Sequence, residues 1–256
     1  MRPAPAPGRI STPAGGTLRK VRLVALDCDG VLIDDTYLAV IERFVTSHGG
    51  RYDAAAERDI VGLRDVVVAE RVARLCGLDE PVADTLNALW TQRRRYLRDH
   101  PIRVSAGAQR LLTWLRRCGV RVVCYGGRTR EHTFDAQLGH LAALLDPEHP
   151  YISVNEHRPG VDWIVRDVIG CDFDEAVFVD DVSRVADAAR AHGTGFIGVP
   201  GSPAHRRQRQ FMAAGGVRHI VGSLEEITPQ LLARIDEELA TSTHWPLRAE
   251  HREPGD

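Results

Sequence analysis

Four short runs of the chain are apolar at nearly every position: 21–26 (VRLVAL), 120–125 (VRVVCY), 176–179 (AVFV) and 195–199 (GFIGV). A strand with one wet face alternates apolar and polar residues, so a continuous apolar run must be covered on both faces. A shorter run, 218–221 (RHIV), follows the same rule. Between the runs lie segments of helical periodicity, 106–118, 160–169 and 182–192, with Gly119 and Gly193 as stops after the first and last. Strands alternating with helices predict an α/β class protein with a Rossmann-like parallel sheet.

Residues 36–100 interrupt this alternation. They hold no strand pattern, and 37–48, 64–76 and 81–99 read as helices broken at Gly49-Gly50, Gly62 and Gly77. An all-helical block after the first strand predicts an inserted α-helical cap domain at 36–100, with 20–35 and 101–240 forming the core. The last helix is expected from Ser223, where Glu226 three positions on completes a capping-box pattern. The Pro- and Gly-rich 1–19 reads as a disordered tail and 241–256 as a flexible one.

A chain of 256 residues is long enough for a core plus such a module, and its net charge of −2 gives no basic field for nucleic acid. No apolar run is long enough to span a membrane. The five cysteines form no CxxC pair, which argues against a disulfide framework or a zinc site and suits a reducing, cytoplasmic setting. His48, His132 and His157 lack metal-ligand spacing. Monomer and homodimer are both open.

The first run leads into VALDCDGVLIDD (24–35), with Asp27, Asp29, Asp34 and Asp35 within nine positions. So many carboxylates repel one another unless an opposite charge offsets them. Ligands of open parallel sheets bind beyond the carboxyl ends of the strands. The runs at 21–26 and 176–179 therefore deliver Asp27, Asp29, Asp180 and Asp181 to one crest, a set of oxygens suited to Mg²⁺.

DCDGVLID (27–34), FVDDV (178–182) and HRPGVDWI (157–164) resemble the first, fourth and third motifs of the haloacid dehalogenase-like superfamily. The helical insert is similar to the small cap of phosphoglycolate-phosphatase-like and β-phosphoglucomutase-like members. The resemblance implies a Mg²⁺-dependent phosphatase of a small phosphorylated metabolite. In it, Asp27 is the nucleophile, Asp29 the acid/base, and Asp27, the Asp29 main-chain carbonyl, Asp180 and Asp181 the metal ligands. Arg158 stands where the superfamily has lysine; the only lysine of the chain is Lys20. The second motif departs further: CYGGRT (124–129) has Tyr125 or Gly126 where a serine or threonine is expected. Main-chain N–H groups of Gly126 and Gly127 are expected to hold the phosphoryl group instead, with Arg128 or Thr129 as compensating side chains. Asp34 is read as fixing the loop. A sugar-phosphate mutase and a catalytically weakened regulatory member are the alternatives. A dehalogenase is disfavoured by the presence of Asp29, and phosphonate cleavage by the absence of a lysine in the cap.

Overall fold

The computed structural model describes residues 10–11, 17–201 and 206–246. Its main sheet has six strands: β1 (Leu23–Asp27), β2 (Arg121–Gly126), β3 (Tyr151–Ser153), β4 (Ala176–Asp180), β5 (Gly195–Gly198) and β6 (His219–Ile220). Their order is β3-β2-β1-β4-β5-β6, and every pairing is parallel. The strand order reverses direction between β1 and β4, so the crest beside β1 is the switch point where such sheets bind ligands.

The doubly buried strands follow from the unbroken apolar runs. Val24 and Leu26 of β1 face one apolar core with Leu112 and Leu115, while Leu23 and Ala25 face the other with Phe178 and Val165. Each such Leu or Val contributes about 1.5–3 kcal/mol by leaving water. The expected Rossmann-like core is therefore present.

Four helices lie within 36–100: α1 (Leu38–Ser47), α2 (Ala54–Ile60), α3 (Asp65–Cys76) and α4 (Val82–Asp99). They surround an apolar cluster of their own, including Ile41, Phe44, Val68, Val72 and Leu89. Helix α2 was not expected from periodicity; Asp53 starts it, its carboxylate accepting the N–H groups of Ala55 and Ala56. Four more helices belong to the sheet layer: α5 (Ala108–Arg117), α6 (Ser183–His192), α7 (Arg206–Ala214) and α8 (Pro229–Ala240). Helix α7 was also missed.

The helical layer is bolted to the sheet layer. Glu57 of α2 is fully buried and accepts hydrogen bonds from Arg207 Nη1 (3.0 Å) and Gln208 Nε2 (2.8 Å) of α7. Arg184 of α6 donates to the Val61 carbonyl at 3.0 Å.

Two expectations need correction. The last helix begins at Pro229, capped by Thr228, whose hydroxyl accepts the Leu231 N–H at 3.2 Å. Proline suits the first helical turn because its missing N–H has no partner there anyway. Ser223 makes no side-chain cap, and Glu226 instead accepts the Gly222 N–H. The packed chain also extends past both expected tail boundaries. Leu18 is buried, and the Asp236 carboxylate accepts the N–H groups of Arg19, Lys20 and Val21. Trp245 donates its indole N–H to the Thr194 carbonyl at 2.9 Å. The remaining tail residues, 1–9, 12–16 and 247–256, lie outside the described residues.

Candidate active site

Strand β1 ends at Asp27, and the chain turns at once. Gly30 adopts φ +96°, a left-handed conformation that favours glycine, and its N–H bonds the Ile33 carbonyl at 2.9 Å. This turn sets Asp29 beside Asp27 on the rim of one cavity. The cavity holds about 70 Å³ and is lined by Asp27, Asp29, Gly126, Gly127, Arg158 and Asp181 among others. Every expected site residue lines it except Asp180, which is buried at the end of the neighbouring β4. From the helical layer, Tyr37, Leu38, Val61, Gly62, Leu63 and Asp65 complete the wall.

The electrostatics are those of crowded acids. Asp27, Asp180 and Asp181 are buried, at 5%, 1% and 2% exposure. Burial first, and then the charge of Asp180, push the Asp27 pKa well above the usual carboxylate range, while Arg158 opposes the rise. Asp180 is raised to about 7 by burial and by Asp181, against the pull of its hydrogen bonds from Tyr125 and the Val182 N–H. Burial works against the charge of Arg158, but Asp27 and Asp180 more than offset it, and its pKa moves upward. Asp27 Oδ1 is buried without a hydrogen-bond partner. Such an oxygen calls for a donor or a cation.

Asp29 is held on several sides. Its carboxylate pairs with Arg128 and accepts the Thr36 N–H at 2.9 Å and the Thr36 hydroxyl at 3.0 Å. Thr36 in turn accepts from Arg93 of α4 at 2.7 Å and from Arg128 at 3.0 Å. Of the helical-layer arginines, Arg93 thus reaches the site through Thr36, whereas Arg64 pairs with Glu156 and Arg71 with Asp59. Asp34 accepts the Arg103 N–H at 3.0 Å, and Asp35 accepts the N–H of Tyr37 at 2.8 Å. Asp34 therefore anchors the loop, as its reading had it.

The second-motif region differs from expectation. Tyr125 turns away from the cavity into the apolar core, its ring edge-on to Phe178 with centroids 5.7 Å apart, and donates its hydroxyl to Asp180. Thr129 is exposed and bonds His132, so it does not stand in for the missing hydroxyl. Tyr151, which sequence reasoning missed, lines the cavity instead. Its strand has only three residues, too few for a periodic signal. Lys20 pairs with Asp174 at 2.5 Å, and it is not among the residues lining the cavity.

A parallel sheet with a helical insert after its first strand, and acids at the ends of β1 and β4, defines a recognisable class. Neither a family model nor a curated protein matches the chain. Solved structures do. The chain is similar to a phosphonoacetaldehyde hydrolase-like protein from Oleispira antarctica, with a TM-score of 0.65 at 13% identity over 96% of this chain and 100% of that one. A conserved haloacid dehalogenase-like protein from Agrobacterium tumefaciens gives 0.60 at 17% identity, covering 84% and 99%. A HAD family hydrolase from Deinococcus radiodurans with bound phosphate and sodium gives 0.56 at 21% identity, covering 84% and 97%. The chain has the haloacid dehalogenase-like fold.

Proposed function

We propose that the chain is a Mg²⁺-dependent phosphatase of a small phosphorylated metabolite. The observation that carries this reading is Asp27: a buried carboxylate at the end of the central strand, beside Arg158, with one oxygen lacking a partner. Asp27 attacks phosphorus and becomes an aspartyl-phosphate. Asp29 protonates the leaving oxygen and then takes a proton from the attacking water. Arg158 and the N–H groups of Gly126 and Gly127 bind the phosphoryl oxygens.

Among the described residues, no three acidic, histidine or cysteine side chains already stand in ligand geometry for a metal ion. The donor chemistry nevertheless fits Mg²⁺, which takes oxygen ligands and fills the rest of its shell with water and phosphate oxygens. Asp27, the Asp29 main-chain carbonyl, Asp180 and Asp181 would hold it. When bound it supplies charge neutralisation, letting one anion approach another.

The phosphatase reading is supported by the fold and by a neighbour crystallised with phosphate. Phosphonate cleavage through a Schiff base on a helical-layer lysine is disfavoured, because the chain's one lysine, Lys20, lies outside 36–100 and pairs with Asp174. No helix among the described residues is long and apolar enough to cross a membrane. The test is a panel of phosphorylated metabolites assayed with Mg²⁺ against an Asp27→Asn control. Turnover that disappears in Asp27→Asn, and a BeF₃⁻ adduct on Asp27, are expected. Equal turnover by the two proteins would overturn the reading.

A further inference from the structure

The place of a side chain at position 126 is taken by a hydroxyl from the next strand. A Cβ built on Gly126 would stand 2.8 Å from Tyr151 Oη and 3.4 Å from Cys28 Cβ. Tyr151 opens β3, where it pairs in register with Cys124 of β2. Its ring packs against Phe134, with centroids 5.6 Å apart, and its hydroxyl donates to the Arg128 carbonyl at 2.8 Å. It lines the cavity together with Asp27, Gly126, Gly127 and Arg158. Burial first, and then the charges of Cys124, Cys28 and Asp27, push its pKa up, so the phenol keeps its proton as a donor.

We propose that Tyr151 is a catalytic residue that donates a hydrogen bond from its hydroxyl to a phosphoryl oxygen of the group transferred to Asp27. The assignment rests on the phosphatase reading. The phenolic O–H turns freely about its C–O bond. A charged phosphoryl oxygen is a stronger acceptor than the Arg128 carbonyl and draws the proton to itself. The donor then acts where negative charge gathers in the transition state. A hydroxyl that the sequence lacks at the end of β2 is thus delivered from β3.

The test uses p-nitrophenyl phosphate with Mg²⁺. Tyr151→Phe is expected to lower kcat about 100-fold, as loss of one such donor does elsewhere, with KM little changed. Removing Oη also opens the space at position 126. Tyr151→Phe with Gly126→Ser, which returns a hydroxyl from β2, is expected to recover most of the lost kcat; Tyr151→Phe with Gly126→Ala is not. Wild-type kcat in Tyr151→Phe, or equal rates in the two double variants, would overturn the assignment while leaving the phosphatase reading intact. Turnover that survives Asp27→Asn in the same assay would overturn both.

Discussion

The hydroxyl of Tyr125, on β2, reaches past β1 to donate a hydrogen bond to Asp180 Oδ2 at the end of β4. Asp27 is the register partner of Tyr125, so the bond passes beside the proposed nucleophile. The other Asp180 oxygen accepts the Val182 N–H at 2.7 Å. The tyrosine at the end of β2 therefore serves the acid on β4, on the side of the sheet where it packs with Phe178.

Asp27 and Asp180 together give the site its pH dependence. In the metal-free protein the Asp180 pKa rises from 3.8 to about 7, by burial and then Asp181. A carboxyl raised on folding favours the folded state while protonated, so its contribution is complete below about pH 4 and is lost as pH climbs through 7. A metal ion needs the ionised carboxylate. Calorimetric Mg²⁺ affinity is expected to be about tenfold weaker at pH 6 than at pH 8, and the Tm increment from Mg²⁺ smaller. Equal affinity at both pH values would contradict a metal role for this pair of raised carboxyls.

Arg128 and Asp29 form the second pair with a consequence. In the proposed mechanism Asp29 carries a proton to the leaving group, and a protonated Asp29 no longer has a charge to pair with Arg128. Arg128→Gln removes the guanidinium that orients both Asp29 and Thr36. Rapid-quench measurement of phosphoenzyme formation separates this step from water attack. With an alkyl phosphate the variant is expected to slow about tenfold, through misplacement of the acid. With p-nitrophenyl phosphate, whose leaving group departs without a proton, the change is expected to stay within about threefold. Equal slowing of both esters would argue against Asp29 as the acid.

Much of this was legible in the sequence, because apolar runs and strand-end acids are local signals. The parallel sheet followed from four apolar runs, the meeting of Asp27, Asp29 and Asp181 from where their strands must end, and the place of Arg158 from the family resemblance. Three features were not legible, for one reason: each depends on which distant segments touch. Tyr151 enters the cavity because β3 pairs with β2, and three residues carry no period. Tyr125 was legible as an anomaly, but its direction depends on the alternation of side chains along β2 relative to Asp27. Glu57 looks in sequence like any surface acid, and only the docking of α7 buries it.

That buried acid carries a stability expectation. Glu57→Ala leaves Gln208 Nε2, buried in the wall between the layers, without its acceptor, and removes the carboxylate partner of Arg207. Loss of one member of a buried polar pair is costly, but the Arg207 side chain is 33% exposed and water screens part of the loss. Urea unfolding is expected to show destabilisation of about 2 kcal/mol. Glu57→Gln, which keeps an acceptor for Gln208, is expected to lose less. Wild-type stability in Glu57→Ala would show that the two layers are not joined through this contact.

Gly127 tests the phosphate-binding face most directly. A Cβ there would run into the Arg158 guanidinium, with Cζ and Nε both 3.2 Å away. The backbone at 127 needs no left-handed conformation, so alanine fits the chain itself and the conflict is with the arginine. The charges of Asp27, Asp180 and Asp65 act on Arg158, so a guanidinium pushed aside by the new methyl group shifts relative to the nucleophile. Gly127→Ala is expected to leave the unfolding free energy within about 1 kcal/mol of wild type and to lower kcat about 100-fold by misplacing a phosphoryl donor. Gly127→Ala with Arg158→Lys restores room beside the new methyl group while keeping the charge, and part of the activity is expected to return. Full activity in Gly127→Ala would mean that Arg158 does not need to lie against residue 127 when the phosphoryl group is transferred.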